Sequence, residues 1–258
     1  MHEWEQLAER WERGRALLWR STRPVSEWLV DALDPQPGET ILELAAGVGE
    51  TGFLAAARGA HLISSDRAPQ MVEAAQRTAA ALGAVDVEFR VFSSDRIELS
   101  DMSVDGVLCR FGYVLLGDAL REIARVLKPG GRLAFSAWAD RGASAWMAIP
   151  RGILVERGHL APRDPDPPWD ESRIRALLEP AGFGPAEIEE QEVVYRFADA
   201  DELWLYVSEL LGPVAAAIGR LDEAEQRRIR SLVEAVSPRD ESGYGLPGRS
   251  LNVLTELR

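Results

Sequence analysis

Apolar side chains along this chain recur with two different periods, and the periods alternate. Between residues 3 and 33, Trp4, Leu7, Trp11, Leu18 and Trp19 return at helical spacing among Glu and Arg. Pro24 is expected to divide this stretch, with Val25 to Leu33 as a second helix. Three tryptophans in one amphipathic stretch ordinarily mean packing; the functional reading is a helix lying over an active-site mouth. After Pro35, Pro37 and Gly38, Thr40 to Leu44 is a short apolar run with an acid near its end, read as a buried strand. Small residues follow, and then the helix-forming segment FLAAAR. His61 to Asp66, Val85 to Phe92, Asp105 to Arg110 and Arg132 to Trp138 read as four further strands. Helical patterns at Ala68 to Leu82 and Gly117 to Leu127 separate them, the second stopped by Lys128-Pro129-Gly130-Gly131. Strands and helices alternating over short connections imply a parallel sheet covered on both faces, with right-handed crossovers.

Beyond residue 142 the pattern is less regular. Ala143 to Gly158 and Glu171 to Ala181 read as helices, the second closed by Gly182. Ala161 to Trp169 is rich in Pro and Asp and must be loop; Arg163 to Asp170 could form a lid, although a plain exposed loop is the simpler reading. Ile188 to Phe197 alternates as a long strand. Asp199 to Val236 is helical in pieces, broken at Gly212-Pro213 and near Leu221-Asp222, with Asp222 as an N-cap. Pro238 to Gly248 is turn-rich, and Leu251 to Leu257 closes the chain as a strand.

The stretch TILELAAGVGETG organises the rest. Strand, small-residue turn and helix together bring a ligand against the free N–H groups of a helix start. Gly47 and Gly49 allow close backbone approach and positive φ. Glu43, at the strand end, suits a cationic amine or a sugar hydroxyl better than a phosphate.

Composition narrows the partners. With 258 residues, 46% of them hydrophobic, the chain can bury a full core as one large domain, or one domain with a lid. A net charge of -13 disfavours nucleic acid, which needs clustered Lys and Arg. The single cysteine, Cys109, excludes an internal disulfide framework and a Cys-based zinc site. No apolar run is long enough to span a membrane, and the charged N-terminus lacks a signal-peptide core, so a cytoplasmic protein is expected. No metal-ligand cluster stands out. The oligomeric state stays open, a homodimer included.

Gly47-Val48-Gly49-Glu50-Thr51-Gly52 also fits a dinucleotide-binding G-x-G-x-x-G, with Asp66 at the next strand end placed for a ribose diol. A nicotinamide-dependent oxidoreductase is therefore a contender. The acid before the turn argues against it, because it would repel a pyrophosphate and attract an ammonium. Asp66 also suits the N-cap of the following helix, and the two roles are compatible.

ELAAGVGETG, SSDRAPQMVEAA, SSDRIELSDMSVDGVLCRFG and RVLKPGGRLAFSAW, in that order, resemble the successive motifs of class I S-adenosylmethionine-dependent methyltransferases. The group that includes the ubiquinone and menaquinone C-methyltransferases looks most similar, over about residues 38 to 140. The resemblance implies an α/β fold: a Rossmann-like, doubly wound, mostly parallel seven-stranded sheet with an antiparallel last strand and a helical cap. It divides the chain into N-terminal cap helices (1–37), a cofactor-binding core (38–142), helices and a sixth strand (143–198), a helical cap insertion (199–247) and a last strand (248–258). S-adenosyl-L-methionine is the implied cofactor. Glu43 would neighbour its methionine moiety, Ala45, Ala46, Gly47 and Gly49 would pass beneath it, and Asp66 would bind the ribose. Arg67 and Met71 would flank the adenine. Asp95 would bind the adenine amino group, with Ser94 and Arg96 beside it. Arg110 and Phe111 would border the methionine end and the substrate. The commonest family turn has Gly where this chain has Ala45.

The implied activity is in-line methyl transfer to a small, hydrophobic or aromatic acceptor. A methyltransferase fold put to a non-methylating or ligand-binding use is the alternative. Trp146, Met147, Trp169, Trp204 and Tyr206 could line the acceptor pocket, though each alone more often means packing. His159 is the best candidate base, ahead of Tyr113, Asp140 and Tyr195, while His2 and His61 look remote. None is specific enough to be named as catalytic.

Overall fold

A computed structural model describes residues 2–112, 114–115, 117–140, 142–162 and 167–258. Tyr113 and residues 163–166 of the expected lid fall outside them, as do the side chains of His2, Trp4 and Leu7.

Two helices open the chain, α1 (His2–Arg13) and α2 (Arg15–Leu33). The break lies at Gly14 and not at Pro24, which α2 carries in its interior. Pro24 is exposed, so the carbonyl one turn back that loses its donor faces water, while Val25 and Leu29 on the buried face hold the helix straight through. At Gly14, a Cβ would stand 2.5 Å from the Leu210 side chain, so only glycine permits that approach.

Then follow β1 (Thr40–Glu43), α3 (Glu50–Ala56), β2 (His61–Asp66), α4 (Pro69–Leu82), β3 (Val87–Val91), β4 (Val104–Arg110), α5 (Ala119–Val126) and β5 (Leu127–Trp138). The Lys128 to Gly131 segment is a bulge inside β5: pairing with β4 jumps from Val104–Leu127 to Gly106–Arg132. The remaining elements are α6 (Ala145–Glu156), α7 (Glu171–Leu178), β6 (Glu187–Phe197), α8 (Ala200–Leu205), a π-helical turn at Tyr206–Leu210, α9 (Gly212–Ile218), α10 (Glu223–Val236), β7 (Arg239–Asp240) and β8 (Gly243–Glu256). As expected, Asp222 caps α10 by accepting the Glu225 N–H at 2.8 Å.

The sheet runs β3-β2-β1-β4-β5-β8-β6, with the two-residue β7 attached to β8 as an eighth strand. β1 to β5 are mutually parallel; β8 runs against both β5 and β6. The expected mostly parallel, Rossmann-like architecture with an antiparallel last strand is therefore present. β8 begins at Gly243 rather than at Leu251, inside the stretch expected to be turn. Its first half pairs with β6 and lies beyond the end of β5, so Pro247 needs no donor on that side. No helix among the described residues is long and apolar enough to cross a membrane.

Two apolar layers flank the sheet. Ile41, Leu108 and Ala134 face α2 and the cap. Leu42, Val107 and Phe135 face the opposite way, toward α5 and α7. The sequence leaves β1 toward β2 on one side and β4 on the other, which opens a crevice at the carboxyl ends of these strands.

Candidate functional site

Glu43 ends β1 on the face that α3 covers. Its buried carboxylate accepts the Gly52 N–H at 2.9 Å, and Ser64 Oγ lies 3.5 Å from its other oxygen. A side chain at position 52 would collide with that carboxylate and with Leu62, so Gly52 is what lets α3 settle on Glu43. Burial pushes the Glu43 carboxyl up to about 8, against the opposing pull of the Gly52 N–H, Arg110 and Ser64. Ala45 takes a left-handed φ of 52°, and Gly47 and Gly49 take 57° and 88°. The alanine thus accepts the conformation that glycine favours, at a cost of roughly 1–2 kcal/mol.

Asp66 ends β2 alongside. One oxygen accepts the Gly47 N–H at 3.0 Å and the other the Ala68 N–H at 2.9 Å. It therefore ties the glycine turn to the start of α4, and each oxygen keeps a lone pair for a ligand. Burial raises its carboxyl, opposed by the two N–H donors and Arg67. Ser65 Oγ donates to the Glu43 carbonyl at 2.7 Å and locks the two strand ends together. Glu43 and Asp66 thus stand side by side at the carboxyl ends of adjacent strands.

Other expected residues are spread around them. Arg67 is exposed beside Asp66. Ser94 and the exposed Asp95 form the tip of a turn closed by the Ser93–Arg96 bridge, just past β3. Met71 is buried, packed with Ala68, Ala8 and Trp11. Helix α1 is therefore the roof: the Trp11 ring comes within 3.7 Å of where a Gly47 Cβ would stand. Trp11 Nε1 donates to the Leu210 carbonyl at 3.0 Å, Arg10 pairs with Glu209 at 3.2 Å, and Arg77 grips Glu12 from α4. α1 bridges the sheet core and the π-helical turn of the cap.

Across the strand ends the chemistry changes from charged to aromatic. Arg110, at the end of β4, follows Glu43 on the same face, and its Nε donates to Thr51 Oγ1 at 3.0 Å. Phe111, with φ of 58°, stacks on Trp138 of β5 with ring centroids 4.0 Å apart. Trp138 meets Trp146 at 4.7 Å, Trp146 meets Tyr195 at 5.6 Å, and Tyr195 meets Tyr206 at 5.1 Å. The residues expected to line a pocket divide here. Trp146, Met147 and Tyr206 join this layer, with Trp204 packed against it. Trp169 packs on the opposite face of the sheet beneath the Arg173 guanidinium, because its N–H bonds the Ala139 carbonyl beyond β5. Sequence reasoning missed Trp138. It stands an even number of residues beyond Ala134 in β5, and that period-two spacing puts it on the cap side.

Of the expected bases, Tyr195 stands in this aromatic layer, and His159, His61 and Asp140 lie elsewhere. His159 Nε2 is 2.9 Å from Glu225 on α10, which Arg157 also holds. His61 begins β2, at the amino end of the parallel strands, against Asp86. Asp140 accepts the Ala143 N–H at the entry to α6.

A family model described as a methyltransferase domain matches residues 41–131. That stretch of the chain is similar to a methyltransferase domain. Over 151 residues it is 38% identical to a demethylmenaquinone methyltransferase of Clavibacter sepedonicus, covering 57% of this chain and 54% of that one. Over 112 residues it is 39% identical to a ubiquinone/menaquinone biosynthesis C-methyltransferase, UbiE, of Rubrivivax gelatinosus, covering 40% and 43%. The chain thus spans about half the length of these curated relatives or less. The crystal structure of the YcgJ protein of Bacillus subtilis superposes with a TM-score of 0.62 at 15% identity, covering 92% of this chain and 99% of that one, a likeness of fold. The matched region of the methyltransferase domain runs from β1 into the β5 bulge, so it contains both carboxylate-bearing strand ends and Arg110.

Proposed function

We propose that this protein is an S-adenosylmethionine-dependent methyltransferase for a small, apolar or aromatic acceptor. The observation that carries the proposal is the row of side chains on one face of the strand ends. Glu43 and Asp66 stand at one end, and Phe111, Trp138 and Tyr195 at the other. The residues present fit the cofactor. Gly47 lies under the Trp11 ring, which among the described residues is what comes within 4 Å of its would-be Cβ, so α1 would form the cover of a nucleoside bound there. Asp66 retains acceptor capacity for ribose hydroxyls, and Glu43 would neighbour the methionine end.

When bound, the cofactor supplies an electrophilic methyl group on a positively charged sulfur. Ala45, Ala46, Gly47 and Gly49 would support it from below. Arg67 and Met71 would border the adenine, with Ser94, Asp95 and Arg96 at its far edge. The protein's work is to align the acceptor and keep water out, for which a stacked aromatic wall under a helical roof is suited. In this reading residues 38–142 are the cofactor core, and residues 1–37 and 143–247 supply roof and wall.

The test is transfer of labelled methyl groups to a panel of quinols, phenols and sterols. Methylated product from at least one flat acceptor is the expected result. Tight binding of S-adenosylhomocysteine with no product across the panel would favour a fold that keeps the cofactor for another purpose.

A further inference from the structure

Arg110 sits where the carboxylate half of the crevice meets its aromatic half, and its side chain is held at one end only. Nε donates to Thr51 Oγ1 at 3.0 Å, and Thr51 Oγ1 shares a 2.9 Å hydrogen bond with Ser26 Oγ; both hydroxyl residues are buried. Those contacts fix the stem and the plane of the guanidinium. Among the described residues, neither terminal nitrogen has a hydrogen-bond partner, and no carboxylate stands within ion-pair distance. Glu50, which feels the Arg110 charge, is already claimed by Arg15 at 2.7 Å. Glu43 is turned to the Gly52 N–H.

The guanidinium carbon lies 5.9 Å from the Phe111 ring centroid, and Phe111 and Trp138 are parallel to within 6°. A flat ring laid along this wall would carry an exocyclic oxygen to the free edge of the guanidinium. Among the described residues the wall offers no imidazole, since His61 and His159 are both engaged elsewhere. An acceptor bound here gains most if it is already ionised, because a guanidinium stabilises an oxyanion through charge-assisted hydrogen bonds.

We propose that Arg110 anchors an ionised oxygen of the acceptor, which makes the acceptor class a flat phenolate or enolate. This rests on reading the crevice as a methyl-transfer site, and it moves Arg110 from the cofactor to the acceptor. As an anchor it is a specificity-determining residue.

The test uses 4-nitrophenolate and its neutral counterpart 4-nitroanisole as probes, titrated calorimetrically into the full chain at a pH where the phenol is ionised. Wild type should prefer the phenolate by roughly 10- to 100-fold, the range of a charged hydrogen bond. Arg110→Met should bring the two probes to within about threefold, and Arg110→Lys should keep part of the preference. Should Arg110→Met fail to fold, Arg110→Gln removes the charge while keeping a polar group for Thr51. Absence of a preference in wild type, or its survival in both neutral variants, would overturn the proposal. So would loss of S-adenosylhomocysteine affinity in Arg110→Met with the anion preference intact, which would return Arg110 to the cofactor. If wild type binds no S-adenosylhomocysteine yet shows an Arg110-dependent preference, the anchor stands and the methyl-transfer reading fails.

Discussion

The floor and the roof of the crevice are secured by different physics. On the floor, backbone N–H groups of the glycine turn and of α3 are satisfied by carboxyl groups, Gly47 by the half-buried Asp66 and Gly52 by the buried Glu43. Each partner is fixed within a few residues of chain by a strand end or a helix start, and there is little freedom to move without stranding a buried polar group. The roof joins segments far apart in sequence: Trp11 to Leu210, Arg10 to Glu209, Glu12 to Arg77. Those contacts are partly exposed, and exposed ion pairs contribute little each. A rigid floor under a weakly fastened roof is what a site needs if it must admit a large ligand and then exclude water.

The largest effect expected on the floor is a pH dependence. Burial holds the folded-state value of Glu43 at about 8, above its ordinary 4.5. Folding therefore takes up a proton between those values. The contribution to stability is complete below about pH 4.5 and is lost as pH rises through about 8, a swing of roughly 3–5 kcal/mol for a shift of this size. Urea unfolding of wild type and Glu43→Gln at both ends of that window should show the wild-type loss shrinking by most of this amount. Asp66 and Glu50, raised by burial in the same direction, leave a smaller slope in the variant. Equal slopes in the two proteins would remove Glu43 from the account.

Next in size is Gly52→Ala. Its Cβ must displace the Glu43 carboxylate or Leu62, which should cost about 2–3 kcal/mol in urea unfolding, an overpacking penalty. A variant as stable as wild type would mean that the floor yields more easily than its hydrogen bonds suggest. On the roof, Trp11→Ala should cost only about 1–2 kcal/mol of global stability. Its sharper signature is local: amide exchange should accelerate in α1 while β1, β2 and β4 keep their protection. Acceleration spread over the whole sheet would contradict the contrast between the two regions.

The same contrast explains what the residues revealed in advance. β1, its glycine turn, β2 and Asp66 were legible because local pattern decides them: a short apolar run, small residues where φ must be positive, a carboxylate at the strand end. The cap was legible only as helices. Pro24 misled because exposure decides whether a helix tolerates proline, and exposure is set by packing elsewhere. The need for glycine at the break comes from Leu210, far away in the chain. Pro247 hid the first half of β8, since only the position of β5's end makes a donor unnecessary there. Trp138 and Phe111 became neighbours through strand register and one residue with positive φ. His159 drew attention as a rare residue, but its partner Glu225 sits on a helix whose docking no local pattern foretells.

The central claim is that Glu43 and Asp66 border a single crevice made for a positively charged nucleoside. Calorimetric titration of wild type and Asp66→Ala with S-adenosylmethionine tests it most directly. Wild type should bind, and the variant, short of a charged acceptor for the ribose, should bind roughly 10-fold or more weakly. Equal affinities, or no binding to wild type, would contradict it.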